Sequence, residues 1–204
     1  MSEVLVSQYK KSIYDLGLPR EWETALWDFY VTKSVADSAS QKRTAADYGL
    51  KQYPIKEMLQ VAGIEDLDIK VLPASSINKT LQKAGLDSGK IGTDEEIAID
   101  IDKPRIVCLT PFYVSDDDPP KVRMGNAESI LTHIRNAFAH GNTYFFENGN
   151  TLLEDKNRNI ITARILLKLQ TLLDWIGLID KEQRFYILRD LSELGNEEAD
   201  LIAE

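Results

Sequence analysis

The stretch NRNIITARILLKLQTLLDWIG, residues 157–177, sets the terms for the rest of the chain. Placed on a helical wheel it is apolar on most faces. It therefore predicts a central, buried helix on which Arg164, Lys168 and Thr171 form a single polar stripe.

Immediately before it, NTYFFENGNTLLED (142–155) predicts a β-hairpin over about 143–154, with TYFF and TLLE flanking ENGN. The Asn-Gly pair favours the tight turn. Further upstream, HIRNAFAHGN (133–142) places both histidines of the chain within eight residues. At 100° per residue, Ile130, Leu131, Ile134, Ala137, Phe138 and Gly141 share an arc of about 120°. Thr132, His133, Arg135, Asn136, Ala139 and His140 take the opposite arc, so one face packs and the other presents donors. Gly141 supplies the helix stop.

Toward the amino terminus, REWETALWDFYVTKSVADS from Arg20 has Trp22, Ala25, Leu26, Phe29 and Tyr30 at helical spacing after Pro19. A second helical segment is expected at 41–63, kinked near Pro54 and closed by Gly63. A last helix, roughly 181–194, carries Phe185, Leu188, Leu191 and Leu194. The middle, about 64–120, differs: prolines punctuate it, and IAIDI and RIVCL cluster Ile and Val. It reads as an insertion with short strands lying beside the cleft. No internal repeat or low-complexity linker divides the chain.

Length and composition fit one globular domain over 1–204, at 43% hydrophobic and 28% charged. The amino terminus has no basic start leading into an apolar run, and no segment approaches the roughly 20 apolar residues of a membrane helix. The expectation is a cytoplasmic protein without a membrane partner. Cys108 is the only cysteine, so neither an internal disulfide nor a cysteine-based metal cluster can form within one chain. The net charge of −9 argues against nucleic acid in general, but the charge is uneven. From Lys121 to Lys168, seven cations face four acids, a local excess of +3. The acids concentrate in DEEIAIDID (94–102), SDDD (115–118) and NEEADLIAE (196–204), either as solvated surface or as a repulsive rim around a basic site.

The run Arg135-Asn136-Ala137-Phe138-Ala139-His140 resembles the R-x4-H motif of the HEPN superfamily, with a polar residue directly after the arginine. The order of motif helix, hairpin and apolar helix also looks like small bacterial HEPN proteins. The likeness runs from about 126 to 194, is only architectural at 20–63, and does not reach 64–120. It implies a mainly α fold: a HEPN-like helical bundle that dimerises with two motifs facing across a cleft. In many members it also implies metal-independent RNA cleavage, often in toxin or phage-defence biology. A catalytically inactive scaffold that binds RNA, a nucleotide or a protein partner is the alternative. An antitoxin or regulatory protein is a further possible partner.

The chemistry suits these residue types. Metal-independent RNA cleavage must take a proton from the ribose 2′-OH, stabilise charge on phosphorus and protonate the leaving 5′-oxygen. His140 fits the proton steps as acid or base, and Arg135 fits the phosphate with its planar fork. Asn136 orients His140 or the ribose. One His140 per chain cannot serve both proton steps without water, His133 or a second chain, and a homodimer supplies the pair. The bland readings are a helix-end histidine for His140, a surface histidine for His133, and an ion pair with Glu128 for Arg135. His133, Arg158, Arg164 and Lys168 are candidate RNA-binding residues, with Lys156 beside them; solvated surface charge is the competing reading. No cofactor is expected. The two histidines, seven apart with no carboxylate on their face, and the loop aspartates make a poor metal site.

Overall fold

The computed structural model describes residues 6–32, 55–65, 69–72, 77–89, 91, 99–114, 121–123 and 125–179. In it the decisive stretch is not one helix. Ile160–Lys168 is a strand that passes without a loop into a helix, Leu169–Ile179. In chain order the elements are α1 (Arg20–Trp27), α2 (Ile55–Val61), β1 (Ile69–Leu72), α3 (Ile77–Lys83), β2 (Arg105–Leu109), β3 (Phe112–Val114) and β4 (Lys121–Arg123). They continue with α4 (Asn126–Ala139), β5 (Thr143–Phe145), β6 (Asn150–Asn157), β7 (Ile160–Lys168) and α5 (Leu169–Ile179). The expected mainly α, HEPN-like bundle is thus replaced by a mixed α/β fold around a five-stranded sheet, ordered β1-β2-β7-β6-β5.

The correction has a definite cause. β7 is the middle strand, and helices or loops cover both faces of the sheet. Ala163, Ile165 and Leu167 join the cluster shared with α1, α2, α4 and α5, whereas Ile161 and Leu166 join the cluster shared with α3 and the amino-terminal arm. A strand buried on both faces loses the apolar–polar alternation and reads as a continuous apolar run, which periodicity cannot separate from a buried helix. The β-branched Ile160, Ile161, Thr162 and Ile165 favour the strand. Arg164, Lys168 and Thr171 form no common stripe, because the first two lie in β7 and the third in α5.

The middle segment does contain strands, but they are not an insertion. β1 pairs in parallel with β2, and β2 pairs antiparallel with β7, so residues 69–72 and 105–109 build one half of the central sheet. β3 and β4 form a separate two-stranded ribbon. The predicted hairpin is present: β5 pairs with β6, and Gly149 takes φ 79° in the turn. β6 then runs on to Asn157 and pairs with β7 through a two-residue turn at Arg158-Asn159.

Helix positions agree with the sequence more closely. α1 begins after Pro19 and continues as a π-helical turn at Asp28–Thr32, while α2 is followed by Gly63 at φ 64°. The expected extension of the first helix beyond 32, the 41–54 half of the second segment and the last helix at 181–194 lie outside the described residues. α5 is anchored from two sides: Tyr30 Oη donates to the Leu172 carbonyl at 2.7 Å, and Trp175 Nε1 donates to the Met58 carbonyl at 2.8 Å. Among the described residues no helix is long and apolar enough to cross a membrane.

The strand reading makes a register prediction. Cys108 of β2 lies directly opposite Ala163 of β7, and both side chains face the same core cluster. Directly opposed residues on antiparallel strands are about 4.5–5.5 Å apart at Cα, within disulfide range. Because both positions are buried once folded, the Ala163→Cys variant refolded from denaturant under oxidising conditions should form a disulfide between Cys108 and the introduced thiol, detected as a linked peptide pair by mass spectrometry. Two free thiols found when the refolded variant is unfolded again for titration would count against the register.

Candidate functional site

The site is built where the last turn of α4 meets β6. Ala127, Ile130, Leu131, Ile134, Ala137 and Phe138 pin the helix to the sheet and to α1 and α5. Its carboxyl end is closed as the sequence requires. Gly141 takes φ 63°, its N–H donates to the Phe138 carbonyl, and the Asn142 N–H reaches back to the Ala137 carbonyl at 2.9 Å. These two bonds are a Schellman closure, which needs a residue free to adopt positive φ. The Asn142 carbonyl in turn accepts the Glu154 N–H at 3.0 Å, so the helix end is fastened to β6.

The polar face of α4 divides into two parts. Thr132 and His133 are buried, Arg135 and Asn136 are partly exposed, and Ala139 and His140 are exposed. His133 is not a surface residue. Its Nδ1 lies 2.6 Å from Asp155 Oδ2 and its Nε2 lies 2.8 Å from the Leu109 carbonyl. A carbonyl can only accept, so Nε2 is the atom that donates to Leu109, and Nδ1 is left to meet the Asp155 carboxyl group. Asn136 Nδ2 donates to the same Asp155 oxygen at 3.0 Å, and Asn136 Oδ1 accepts from Arg135 Nη1 at 2.9 Å. The result is a chain of contacts from the buried His133–Asp155 pair to a partly exposed guanidinium: His133, Asp155, Asn136, Arg135.

Burial by itself pushes the Asp155 carboxyl up, but the His133 hydrogen bond, its positive charge and the Asn136 amide together hold it below its ordinary value. Cys108 is inert by the same logic. Burial raises its thiol far above the normal range, and the nearby Asp155 charge adds to the effect.

The predicted RNA-binding residues are not brought together. Arg164 is 0% exposed: Nε donates to Glu154 Oε2 at 2.7 Å, and its two terminal nitrogens donate to the carbonyls of Leu86, Asp87 and Gly89. These contacts fix the α3-side loop to the sheet and leave nothing to meet a phosphate. Lys156 pairs with Glu154 as well. Arg158 is exposed in the β6–β7 turn at φ 58°, and Lys168 is exposed at the opposite end of β7. Eight steps at about 3.3 Å separate these ends by roughly 26 Å, so Arg158 and Lys168 do not share one site. Of the local cation excess, Arg135 is the one tied into the motif's own contact chain. Glu128 does not pair with Arg135; its carboxylate accepts the Gly125 N–H at 3.0 Å at the start of α4.

Sequence reasoning missed Asp155, the hub of this network, because its partners are 19 and 22 residues away and on another element. It also missed the amino-terminal arm. Lys11 and Thr143 exchange two hydrogen bonds, and Lys10 bridges to Tyr144, so the arm lies against β5 just after the motif. Between the arm, Trp27 of α1 and Phe138–Gly141 is a cavity of about 360 Å³. Among the described residues no cluster of three His, Cys, Asp or Glu is placed to hold a metal ion. Compared with protein-family models, curated proteins and solved structures, the chain matches none.

The His133–Asp155 pair predicts acid sensitivity. The Asp155 carboxyl is depressed in the folded state, so its contribution to stability is full above its unfolded value of about 3.9 and is lost as pH falls through the lower folded value. Asp155→Asn removes the carboxylate that His133 and Asn136 both meet in the interior and should cost about 1–3 kcal/mol at pH 7. Chemical denaturation at pH 7 and below pH 4 should show the gap from wild type narrowing at the acid end. A gap that is constant with pH would mean the pair is not ionised.

Proposed function

We propose that the exposed end of α4 is an RNA-cleaving site in which His140 moves protons, Arg135 holds the scissile phosphate and Asn136 positions Arg135, with two chains combining in a homodimer. The observation that carries the reading is the contact chain from His133–Asp155 through Asn136 to Arg135. A guanidinium held this way is pre-oriented for a phosphodiester, because the side chain's freedom is already restricted before substrate arrives. The resemblance of residues 135–140 to HEPN proteins supports the chemistry at this helix end and nothing about a bundle.

In the proposed reaction a base takes the 2′-OH proton and the 2′-oxygen attacks phosphorus. The bond to the 5′-oxygen breaks and an acid protonates it, giving a 2′,3′-cyclic phosphate and a 5′-hydroxyl. No metal is needed to balance these steps. Arg135 stabilises the added charge on the non-bridging oxygens. His133 cannot supply the second proton group, since both its nitrogens are engaged in the interior. The second group then comes from His140 of a partner copy, which supports the two-fold arrangement with Arg135 helices facing each other. An antitoxin or regulatory partner, if one exists in a toxin or defence setting, would act by covering this end of α4.

His140 is exposed and caps the helix with its backbone, so His140→Ala should change stability by under about 1 kcal/mol. RNA cleavage in excess chelator should fall by about 10²-fold or more, and Arg135→Ala should lower cleavage similarly while weakening RNA binding. Ile134→Asp, which buries a carboxylate in the core, should abolish folding instead. A folded His140→Ala variant cleaving at the wild-type rate would leave the inactive, RNA- or protein-binding scaffold as the better reading.

The assembly is tested separately by light scattering at micromolar concentration, where the expected mass is that of two chains. A monomer across that range would remove the paired-histidine mechanism.

A further inference from the structure

The cavity beside the motif has features that the proposed cleavage chemistry does not use. Its wall includes Tyr14, which is 58% exposed although it is a large aromatic, and Trp27, whose ring centroid lies 6.2 Å from that of Tyr14 at an interplanar angle of 47°. A tilted pair does not close into a stack, so the outer face of Tyr14 stays open. Lys10 and Lys11 also line the cavity and are exposed. Among the described residues neither is in an ion pair with an acid. Asp15, the acid on this rim, is exposed but held in a local cap: its carboxylate accepts the Ser12 N–H at 3.1 Å, while Ser12 Oγ accepts the Tyr14 N–H.

The arm carrying these residues is fixed, not loose. The Ser12–Asp15 reciprocal cap shapes it, and the two Lys11–Thr143 bonds hold it to β5. Ala139 and Gly141, which flank His140 in the chain, form the opposite wall. The volume, about 360 Å³, falls in the range of small-ligand sites, about 300–1,000 Å³.

We propose that this cavity is a subsite for one unpaired nucleobase of single-stranded RNA, stacked on Tyr14 and bounded by Trp27, with the adjoining backbone phosphate on Lys10 and Lys11. The inference rests on the cleavage reading for the identity of the polymer, and it adds the specificity: a single strand is preferred, because drawing a paired base out of its stack costs unpairing and unstacking energy, which an unpaired base does not require. Aromatic stacking on every base's π-face makes the subsite tolerant of sequence, and two exposed lysines make it sensitive to salt.

The test uses the full chain and two fluorescent decamers of the same sequence, one of ribonucleotides and one 2′-O-methylated, which lacks the attacking hydroxyl and cannot be cleaved. Anisotropy with the methylated decamer should show Tyr14→Ala raising Kd by roughly 10-fold or more, with Tyr14→Phe close to wild type. Lys10→Ala with Lys11→Ala should weaken binding and flatten its salt dependence. Wild-type affinity in both the Tyr14→Ala and the double-lysine variants overturns the subsite, even if the ribonucleotide decamer is still cleaved. Tyr14-dependent binding without cleavage of the ribonucleotide decamer keeps the subsite and overturns the catalytic reading. If the wild-type chain binds neither decamer, both fall.

Discussion

Two adjacent carboxylates in β6 hold the structure together from opposite sides. Successive residues of a strand point to opposite faces of the sheet, so Glu154 and Asp155 cannot share a partner. Glu154 takes Arg164, whose remaining donors tie down the carbonyls of Leu86, Asp87 and Gly89 on one face. Asp155 takes His133 and Asn136 of α4 on the other face. Each carboxylate is buried, and a buried charge is tolerated only with a partner of good geometry. Slipping β6 by one residue would send both carboxylates to the wrong faces, so the pair of ionic contacts fixes strand register as well as helix position.

This arrangement decides what the polar residues of α4 can do. His133 is nearest the sheet and is committed to Asp155 and the Leu109 carbonyl, which makes it part of the scaffold. Asn136, almost one turn further along, has one end on Asp155 and the other on Arg135, so it transmits the rigidity of the interior to a side chain at the surface. His140 has passed the edge of the sheet and is exposed. A gradient from buried to free along the carboxyl-terminal half of the helix thus separates support from chemistry. The arm from Lys10 to Asp15 adds an aromatic and cationic wall at the exposed end of that gradient.

The acidic composition of the chain is compatible with this site because charge acts locally. Arg164 is buried against Glu154 and so leaves the surface field, while Lys156, partly exposed, leans on the same carboxylate. The cations at the helix end are Arg135 and the arm lysines Lys10 and Lys11, brought together by folding from distant parts of the chain.

What the sequence determined by itself is local. The extent of α4, its closure at Gly141, the Asn148-Gly149 hairpin and the start of α1 after Pro19 depend on contacts within a few residues, and their signatures are readable in order along the chain. The segment 134–140 could also be picked out, because Arg135, Asn136 and His140 are close in sequence and remain so on a helix. Tertiary structure alone decided the rest. Residues 160–168 are apolar whether they form a buried helix or a strand covered on two faces, and only their pairing with β2 and β6 selects the strand. Arg164 and His133 look like surface cations until Glu154 and Asp155, 10 and 22 residues distant, meet them in the interior. Lys10 and Tyr14 reach the motif only because the arm pairs with β5, and Trp27 joins them from α1. The energy of each of these choices comes from burial and pairing with distant segments, and that information has no local signature in the chain.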